Sequence, residues 1–484
     1  MKTKYIVPII CTLATNIALV FADPAPAAEW IQARGPKLFA GGKEIRLRGS
    51  NLGNWMLQED FMFGLAGTHS QMRGAMEAVL GKKAAAAFWD EYEKVYFTAA
   101  DARFLARQGY NFLRVPLNQN RFEDPNVPGQ YDQAALRQVD EVIRLCKENG
   151  IYVLVDLHAV PGGQSREIYA DSLWAAPEFW RYADFRKRST DFWVMLAKRY
   201  KDEKAVAGYD LINEPNTEGR TELLTEWHRE TIRQIRAVDP AHLIWLSGDN
   251  YGKGFIGLPE DLFADEQVVF QFHIYPSFTY PMDKMKAYPQ TVDGVRYDKA
   301  WLRERLREQI AFGKRKPVLL GEFGFNFNRG RIPLLQAMIK DLLAVCDEEG
   351  WSWAQWSYKD VGVMGLLSPA PETPWKRFLA SAEVQADLER ANELFVVRGV
   401  STPSQLRLAA SIGSVATNLD AQVGRHLTLS ARRMCDDAVS QTILCHLKEK
   451  DEAALRGLAR SFAFEACRPN PQLTEIFPLQ RADN

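Results

Sequence analysis

The chain of 484 residues has almost no net charge, because 60 Lys and Arg face 61 Asp and Glu and leave a formal value of −1. This balance gives no electrostatic reason to expect nucleic acid or an anionic membrane surface as a partner. A neutral polymer suits it better, and the 13 Trp residues supply flat faces for stacking. The length allows one domain with a full hydrophobic core.

One long apolar run lies at the start of the chain and is short for a membrane span. Lys2 and Lys4 precede the apolar residues 5–21, and small residues follow them. A proline and an asparagine interrupt the run, whereas a bilayer span needs roughly 20 apolar residues. We therefore predict a signal peptide over residues 1–22, with cleavage as late as 28. The expected protein is secreted (extracellular or periplasmic), without stable membrane insertion.

Cysteine is scarce, and removal of the signal would leave five of the six residues. Cys146 and Cys346 fall late in two predicted helices, where we expect small buried residues facing the sheet. The other three, Cys435, Cys445 and Cys467, lie in the tail, where two could pair after export and leave one odd thiol. No CxxC or HxxxH spacing accompanies them, so a metal site is not expected.

Short β-branched and apolar runs alternate with helical stretches over residues 30–395, a pattern typical of a parallel sheet with crossover helices. Eight such units in about three hundred residues predict an α/β fold of the (β/α)8 TIM barrel class. An open doubly wound sheet is the alternative, but no Gly-rich phosphate loop follows the first strand. The predicted strands are Ile45–Asn51, Asn111–Pro116, Ile151–His158, Ala207–Asn213, Leu243–Ser247, Val268–His273, Val318–Glu322 and Trp351–Trp356.

The composition changes after the predicted barrel. Beyond residue 396 it is rich in Ala, Leu, Arg and Asp, with helical periodicity and few aromatic residues. We predict a small α-helical C-terminal extension over residues 396–484 that packs against the barrel, and its role stays open. Its predicted helices are Gln405–Ala416, His426–Leu447 and Asp451–Cys467.

Functional side chains of such a barrel collect at the carboxyl ends of its strands. Polar side chains on strands that otherwise consist of core residues are unusual. Each alone could be a satisfied buried group, but their number predicts one site. The residues at these ends are Asn51, Arg114, His158, Asn213, Glu214, His273, Glu322 and Trp356.

Glu214 and Glu322 follow the predicted fourth and seventh strands, which lie across the barrel mouth. Two carboxyl groups placed there can flank one bond, and different surroundings can give them different pKa values. Glycoside hydrolysis needs such a pair, one acid to protonate the leaving oxygen and one carboxylate to attack or to activate water. A pair of structural salt bridges is the alternative, although neither residue has a basic partner at helical spacing.

The segments around this pair resemble glycoside hydrolase family 5, a cellulase-like family of retaining (β/α)8 barrels. The resemblance covers roughly residues 40–395, and the motifs occur in family order. They are Leu113–Pro116 (LRVP), Asp156–His158 (DLH), Tyr209–Pro215 (YDLINEP), His273–Tyr275 (HIY), Gly321–Gly324 (GEFG) and Trp353–Trp356 (WAQW).

The resemblance implies that Glu214 is the acid/base and Glu322 the nucleophile, with retention of configuration and no cofactor. Arg114 is then expected to keep Glu322 ionised, since a nearby guanidinium favours the charged carboxylate. Tyr275 is expected to donate to Glu322. Asn213 is expected to bind the sugar 2-hydroxyl, a contact that strengthens in the transition state.

The resemblance also implies surrounding substrate contacts. His158 and His273 are expected to bind hydroxyl groups and orient the carboxylates, and Trp356 to stack under the sugar in the −1 subsite. Asn51 is a further candidate at the first strand. Candidate outer platforms for sugar rings are Trp55, Trp174 and Tyr280.

The implied substrate is a β-glucan-type polysaccharide or oligosaccharide. Arg48–Trp55 and Pro161–Gln164 resemble exo-β-1,3-glucanase-like members, whereas Met56–Asp60 departs from their pattern. A glycolipid or small aglycone glycoside is one alternative substrate, and a non-catalytic carbohydrate-binding barrel is a rival of another class. The linkage and the choice between exo and endo cleavage stay open.

Overall fold

The computed structural model describes residues 27, 29–253, 255, 259–310, 315–394, 421–473 and 476–477. The predicted signal peptide over residues 1–22 and the predicted helix Gln405–Ala416 lie outside these residues. Within the described part of the chain, no helix has the length and apolar character to cross a bilayer.

The strands are β1 Ile31–Arg34, β2 Lys37–Ala40, β3 Lys43–Ile45, β4 Arg48–Asn51, β5 Phe112–Asn118, β6 Tyr152–Ala159, β7 Val206–Asp210, β8 Ile244–Ser247, β9 Val268–Ile274, β10 Gln290–Val292, β11 Val295–Tyr297, β12 Val318–Phe323, β13 Ser352–Gln355, β14 Leu367–Pro369 and β15 Cys467–Pro469. Eight of them close a parallel barrel in the order β12-β13-β4-β5-β6-β7-β8-β9. The predicted (β/α)8 TIM barrel is confirmed.

The α-helices are α1 Asp60–Phe63, α2 His69–Leu80, α3 Lys82–Tyr96, α4 Ala99–Arg107, α5 Gln119–Phe122, α6 Gln133–Glu148, α7 Ala183–Tyr200, α8 Thr221–Arg236, α9 Pro276–Thr279, α10 Lys299–Gln309, α11 Ile332–Glu349, α12 Pro374–Leu379, α13 Ala382–Leu394, α14 Ala421–Cys445 and α15 Glu452–Ala459. Short 3-10 turns occupy Ile168–Ala170, Glu178–Trp180, Glu260–Phe263, Phe327–Arg329, Arg460–Phe462, Phe464–Ala466 and Pro471–Leu473. A further turn at Asp249–Gly252 has left-handed backbone at Asn250 and Tyr251.

The barrel strands are buried on both faces, which is why they consist of nearly continuous apolar runs. Two glycines allow neighbouring strands to approach each other. A Cβ atom on Gly49 would lie 1.8 Å from the carbonyl oxygen of Phe112, and one on Gly208 would lie 2.2 Å from that of Leu243. No larger residue fits at either position without separating the strands.

The surrounding helices bury one face each against the barrel. In α6 the side chain of Asp132 accepts hydrogen bonds from Ala134 N and Ala135 N and caps the amino end. Cys146 and Cys346, near the ends of α6 and α11, are fully buried as predicted.

A small antiparallel sheet of β1, β2 and β3 precedes the barrel and was not predicted. The predicted first strand Ile45–Asn51 is divided, because β3 pairs with β2 and only β4 enters the barrel. Ala33 N donates to the side chain of Gln267, the residue before β9, at 3.1 Å. The small sheet therefore lies at the amino end of the barrel, away from the mouth.

The C-terminal segment differs from the prediction of a purely helical extension. The predicted helix Asp451–Cys467 is wrong beyond Ala459, where 3-10 turns lead into β15. β15 pairs antiparallel with β14, and Phe462 is fully buried in the common core. The segment thus completes the barrel domain with a strand.

The sequence left a disulfide between two of the three cysteines of this segment open, and in the structure Cys435, Cys445 and Cys467 are all free. The first two stand ten residues apart on α14, about 15 Å along its axis. A disulfide needs Cα atoms within about 7 Å. Cys467 is buried in β15.

Candidate active site

The predicted site residues meet at the carboxyl end of the barrel. Glu322 lies in β12 and His273 in β9, whereas Glu214 follows β7 with a positive φ of 42°. Such left-handed backbone is unusual for a glutamate and collects at functional sites. Arg114, His158 and Trp356 lie in or directly after β5, β6 and β13.

The two carboxyl groups share one histidine. His273 Nδ1 lies 2.7 Å from Glu214 Oε1 and 3.6 Å from Glu322 Oε2. One oxygen of each carboxyl group and a nitrogen of His273 all lie within 4.8 Å of one another. Retaining glycosidases hold their carboxyl groups about 5 to 5.5 Å apart, and inverting enzymes about 6.5 to 9.5 Å. The observed spacing fits direct attack by one carboxylate.

These three side chains could also ligate a metal ion by distance alone. Arg114, however, already places a guanidinium on Glu322, with Nη1 donating to Oε1 at 2.8 Å. The positive charge beside this carboxylate is therefore supplied by the chain itself.

Arg114 is fully buried and binds several acceptors at once. Its Nε donates to Asp210 at 2.9 Å, and its Nη2 lies 3.0 Å from Asp156 Oδ1. Burial alone would lower the pKa of Arg114, but the charges of Asp156, Asp210 and Glu322 raise it further than burial lowers it. Arg114 therefore stays cationic, and its predicted contact with Glu322 is present.

Both oxygens of Glu322 accept hydrogen bonds from charged or polar donors. Tyr275 Oη donates to Oε2 at 2.8 Å, opposite the contact from Arg114. Each donor holds one oxygen of the carboxyl group in place. This environment suits a nucleophile.

Glu214 lies in a different environment. Burial raises the pKa of Glu214 above the usual glutamate value, while a hydrogen bond from Tyr169 opposes this effect. Burial also lowers the pKa of His273 to about 4, so this imidazole is neutral near pH 7. A carboxyl group with a raised pKa beside a neutral histidine suits an acid that later acts as a base.

A hydrogen-bonded chain orients the remaining residues. His158 Nδ1 lies 2.6 Å from Asp156 Oδ2, so Nε2 is free to accept from Asn213 Nδ2 at 3.2 Å. The ring of His158 stacks on Trp356 with a centroid distance of 5.3 Å. Asn213 also accepts from Arg114 Nη2 at 2.8 Å.

Asn51 supports the site from beneath. Its Nδ2 donates to Gly321 O at 2.9 Å, and its Oδ1 accepts from Arg114 Nη1 at 3.1 Å. It is fully buried, so its contacts position Arg114 and the strand that carries Glu322.

Two of the candidate sugar platforms are wrong. Trp55 is only 1% exposed, and its indole nitrogen donates to Glu93 O at 2.8 Å. Tyr280 is 7% exposed and packs against Trp301 with a centroid distance of 5.1 Å. Both aromatic rings are core residues. Trp174 is 56% exposed, so its role as a platform stays a prediction.

Several residues of the site were not predicted. Asp156 and Asp210 lie within the recognised motifs but were not assigned a role, and burial raises the pKa of each to about 7. Tyr169 and Glu59 stand on loops, where strand periodicity gives no signal. Burial raises the pKa of Glu59, and the charge of Glu322 is the next cause.

Comparison with known proteins agrees with this geometry. The family model described as cellulase, glycosyl hydrolase family 5, matches residues 73–362. A β-xylosidase of Phanerodontia chrysosporium is 28% identical and covers 92% of this chain and 97% of that protein. Endoglucanase C of Acetivibrio thermocellus is 25% identical and covers 56% of this chain and 87% of that protein.

Partial similarity extends to fungal proteins. A probable glucan 1,3-beta-glucosidase A of Aspergillus clavatus is 27% identical over 55% of this chain and 63% of that protein. A crystal structure titled as a glycoside hydrolase superposes with a TM-score of 0.50 at 21% identity, covering 66% of this chain and 90% of that one. This last similarity concerns the fold alone. Because the family model matches more than half of the chain, and the paired carboxyl groups stand where the motifs predict them, the chain belongs to glycosyl hydrolase family 5.

Proposed function

We propose that this protein hydrolyses β-glycosidic bonds of a β-glucan-type polysaccharide or oligosaccharide by double displacement with retention. The observation that carries the proposal is the pair Glu214 and Glu322, with oxygens within 4.8 Å of each other and different partners. Glu322, held by Arg114 and Tyr275, attacks the anomeric carbon. Glu214 protonates the leaving oxygen and then deprotonates the water that hydrolyses the glycosyl-enzyme.

The surrounding residues have distinct tasks in this reaction. Asn213, fixed between Arg114 and His158, binds the 2-hydroxyl of the −1 sugar. Trp356 is only 3% exposed and lies against His158 and Gly53, so we assign it the floor beneath that sugar and not an open stacking platform. We also propose that the protein acts outside the cytoplasm, because the apolar segment 5–21 follows two lysines.

The test combines product stereochemistry with rescue by azide. NMR of the first product should show the β-anomer. Glu322→Ala should have no turnover alone and should give an α-glycosyl azide with azide present. Glu214→Ala should lose roughly 100- to 10,000-fold on substrates that need protonation and should give a β-glycosyl azide with activated aryl glycosides.

Glu372→Ala is a matched control, because this carboxylate is 62% exposed on the surface. It should behave as the unmodified protein. An α-anomer as first product, or wild-type turnover by Glu322→Ala, would contradict the proposal.

A small glycoside is the second candidate substrate, since the relative that covers 92% of this chain is named a β-xylosidase. Aryl β-glucoside and β-xyloside, compared with β-1,3-, β-1,4- and β-1,6-glucans and with mannan, separate the candidates. A non-catalytic barrel would bind sugars and release no reducing ends in any of these assays.

A further inference from the structure

Helix α14 of the C-terminal segment packs on helix α2 and on the loop that joins β4 to α2. Ser440 Oγ donates to Ala66 O at 2.6 Å, and Gln71 Nε2 donates to Arg433 O at 2.5 Å. A Cβ atom on Gly67 would lie 3.4 Å from Asp436 Cβ, so helix and loop are in van der Waals contact.

The same helix contacts the loop that follows β6. Ser430 Oγ donates to Trp174 O at 2.5 Å, and Arg433 Nη2 donates to Arg166 O at 3.4 Å. Thus α14 spans two active-site loops whose strands are separated by β5 in the barrel.

Charged groups line this contact. Arg432 lies 3.6 Å from Asp60, across the contact, whereas Arg433, only 3% exposed, pairs with Asp436 of α14 itself at 3.3 Å. Burial raises the pKa of Glu167, on the loop after β6, and both arginines oppose this shift. The guanidinium groups of α14 therefore compensate acids on the loops beside the catalytic pair.

Trp356 and the loops that α14 contacts lie on the same side of the barrel mouth. Glu214 follows β7 and Glu322 lies in β12, so a line between them divides the other barrel strands into two groups. On one side of this line lie β13, β4, β5 and β6, and on the other side lie β8 and β9. Trp356 lies on the first side, since a Cβ atom on Gly53 would lie 3.0 Å from its ring and His158 stacks on it. This is the side of the proposed −1 sugar, and α14 contacts its loops.

On the opposite side of the mouth, the described residues include one exposed aromatic ring. Phe278, after β9, is 77% exposed, and Lys253 Nζ lies 6.0 Å from the centroid of its ring. An exposed aromatic face with a cation beside it suits the leaving part of a sugar chain.

We propose that α14 is the wall that ends the glycone side of the binding mouth. The site then admits only the non-reducing terminal sugar of a neutral β-linked chain, and the protein releases one sugar at a time. The inference rests on the proposed retaining glycosidase function and specifies its mode of cleavage. Arg432 and Arg433 determine this specificity by holding the wall against the two loops.

The first test uses the unmodified protein with cellohexaose, laminarihexaose and xylohexaose, each labelled at the reducing end. The expected first products are one unlabelled monosaccharide and the labelled pentaose. Labelled mono-, di- or trisaccharides among the first products would overturn the inference. Aryl β-glucoside and β-xyloside report hydrolysis separately, so absence of all turnover indicates failure of the proposed function instead.

The second test compares the double variant Arg432→Ala/Arg433→Ala with Met434→Ala. Met434 lies on the same helix and is 65% exposed, so its truncation should leave the product profile unchanged. The double variant should raise the ratio of internal to terminal cleavage at least tenfold while kcat on the aryl glycoside changes less than threefold. An unchanged ratio in a folded double variant would contradict the inference. If the double variant does not fold, the products that the unmodified protein forms in the first test decide the matter.

Discussion

Glu322 and Glu214 differ in what they accept hydrogen bonds from, and this difference separates their roles. Arg114 and Tyr275 both donate to Glu322, whereas Glu214 faces Tyr169 and a histidine that is neutral near pH 7. The donors on Glu322 hold both of its oxygens in place, whereas burial of Glu214 favours the protonated acid.

Tyr275→Phe removes one donor from the nucleophile without changing the shape of the site. Because a hydrogen bond to a charged group contributes about 1.5 to 3 kcal/mol, we expect kcat/KM to fall roughly 10- to 100-fold. Tyr110→Phe is the control, since the Tyr110 hydroxyl is buried without a hydrogen-bond partner among the described residues. Steady-state kinetics should show loss for the first variant and none for the control.

The pH dependence of kcat/KM should carry the titration of Glu214 on its alkaline side. As pH rises through the pKa of Glu214, the proton for the leaving oxygen is lost and the rate falls. Tyr169→Phe removes a hydrogen bond that lowers this pKa, so the alkaline limb should move to higher pH. A limb that stays in place or moves to lower pH would contradict this role of Tyr169.

At the level of elements, the loop after β13 is built around one buried carboxylate. Asp360 Oδ1 accepts from Gly362 N at 2.7 Å and Val363 N at 2.9 Å, and its Oδ2 accepts from Met364 N and Gly365 N. These contacts turn the chain so that it enters β14, which pairs with β15 of the C-terminal segment.

Asp360→Ala should therefore destabilise both the loop and the attached C-terminal segment. Loss of the acceptor leaves buried N–H groups without partners, and we expect a decrease of roughly 3 to 5 kcal/mol in the free energy of unfolding. Chemical denaturation measures the effect, with the exposed Glu372→Ala as control. A decrease below about 1 kcal/mol would show that the loop does not depend on this carboxylate.

The barrel strands were predictable to within a few residues because burial on both faces makes them continuous apolar runs. β1, β2 and β3 were missed because each has only three or four residues and at most two of them are buried. β15 was assigned to a helix because its strand character depends on pairing with β14, about one hundred residues away in sequence.

The site shows the same limit. Glu214, Glu322 and Arg114 lie in or next to strands, where family motifs mark them. Trp55 was taken for a platform because its burial depends on residues distant in sequence. One of them is Glu93, whose carbonyl accepts the hydrogen bond from the Trp55 indole. Tyr169 was missed altogether. It lies on a loop, and only its hydrogen bond to Glu214 shows that it belongs to the site.

At the level of the whole molecule, the C-terminal segment and the barrel are joined through a buried lysine. Lys359 Nζ donates to Asp101 Oδ1 at 2.9 Å, to Tyr96 O at 2.7 Å and to Phe462 O at 2.8 Å. Removal of Asp101 would leave the buried charge of Lys359 without its negative partner. The C-terminal segment is therefore part of the cooperative unit.

Stability of this unit should decrease in acid partly through His228. Both ring nitrogens lack hydrogen-bond partners among the described residues, and burial lowers the pKa of His228 to about 3. Because the unfolded chain takes up this proton near pH 6.5 and the folded chain does not, its contribution is complete above that pH and is lost as pH falls toward 3.

Through this group, the free energy of unfolding of the unmodified protein should fall by about 1.4 kcal/mol per pH unit between pH 6 and pH 4. His228→Leu should abolish that part of the decrease. Denaturation at several pH values measures the slope, and Tyr110→Phe should keep the slope of the unmodified protein. Equal slopes for His228→Leu and the unmodified protein would show that His228 does not cause the loss.

The most direct test of the central claim is identification of the residue that becomes glycosylated. Slow substrates with a 2-fluoro group and a dinitrophenyl leaving group, in the β-glucosyl and β-xylosyl series, accumulate the covalent intermediate. Mass spectrometry of the intact protein and of its peptides should show one sugar per chain, attached to Glu322. A sugar on Glu214 or on any other residue would contradict the assignment of nucleophile and acid.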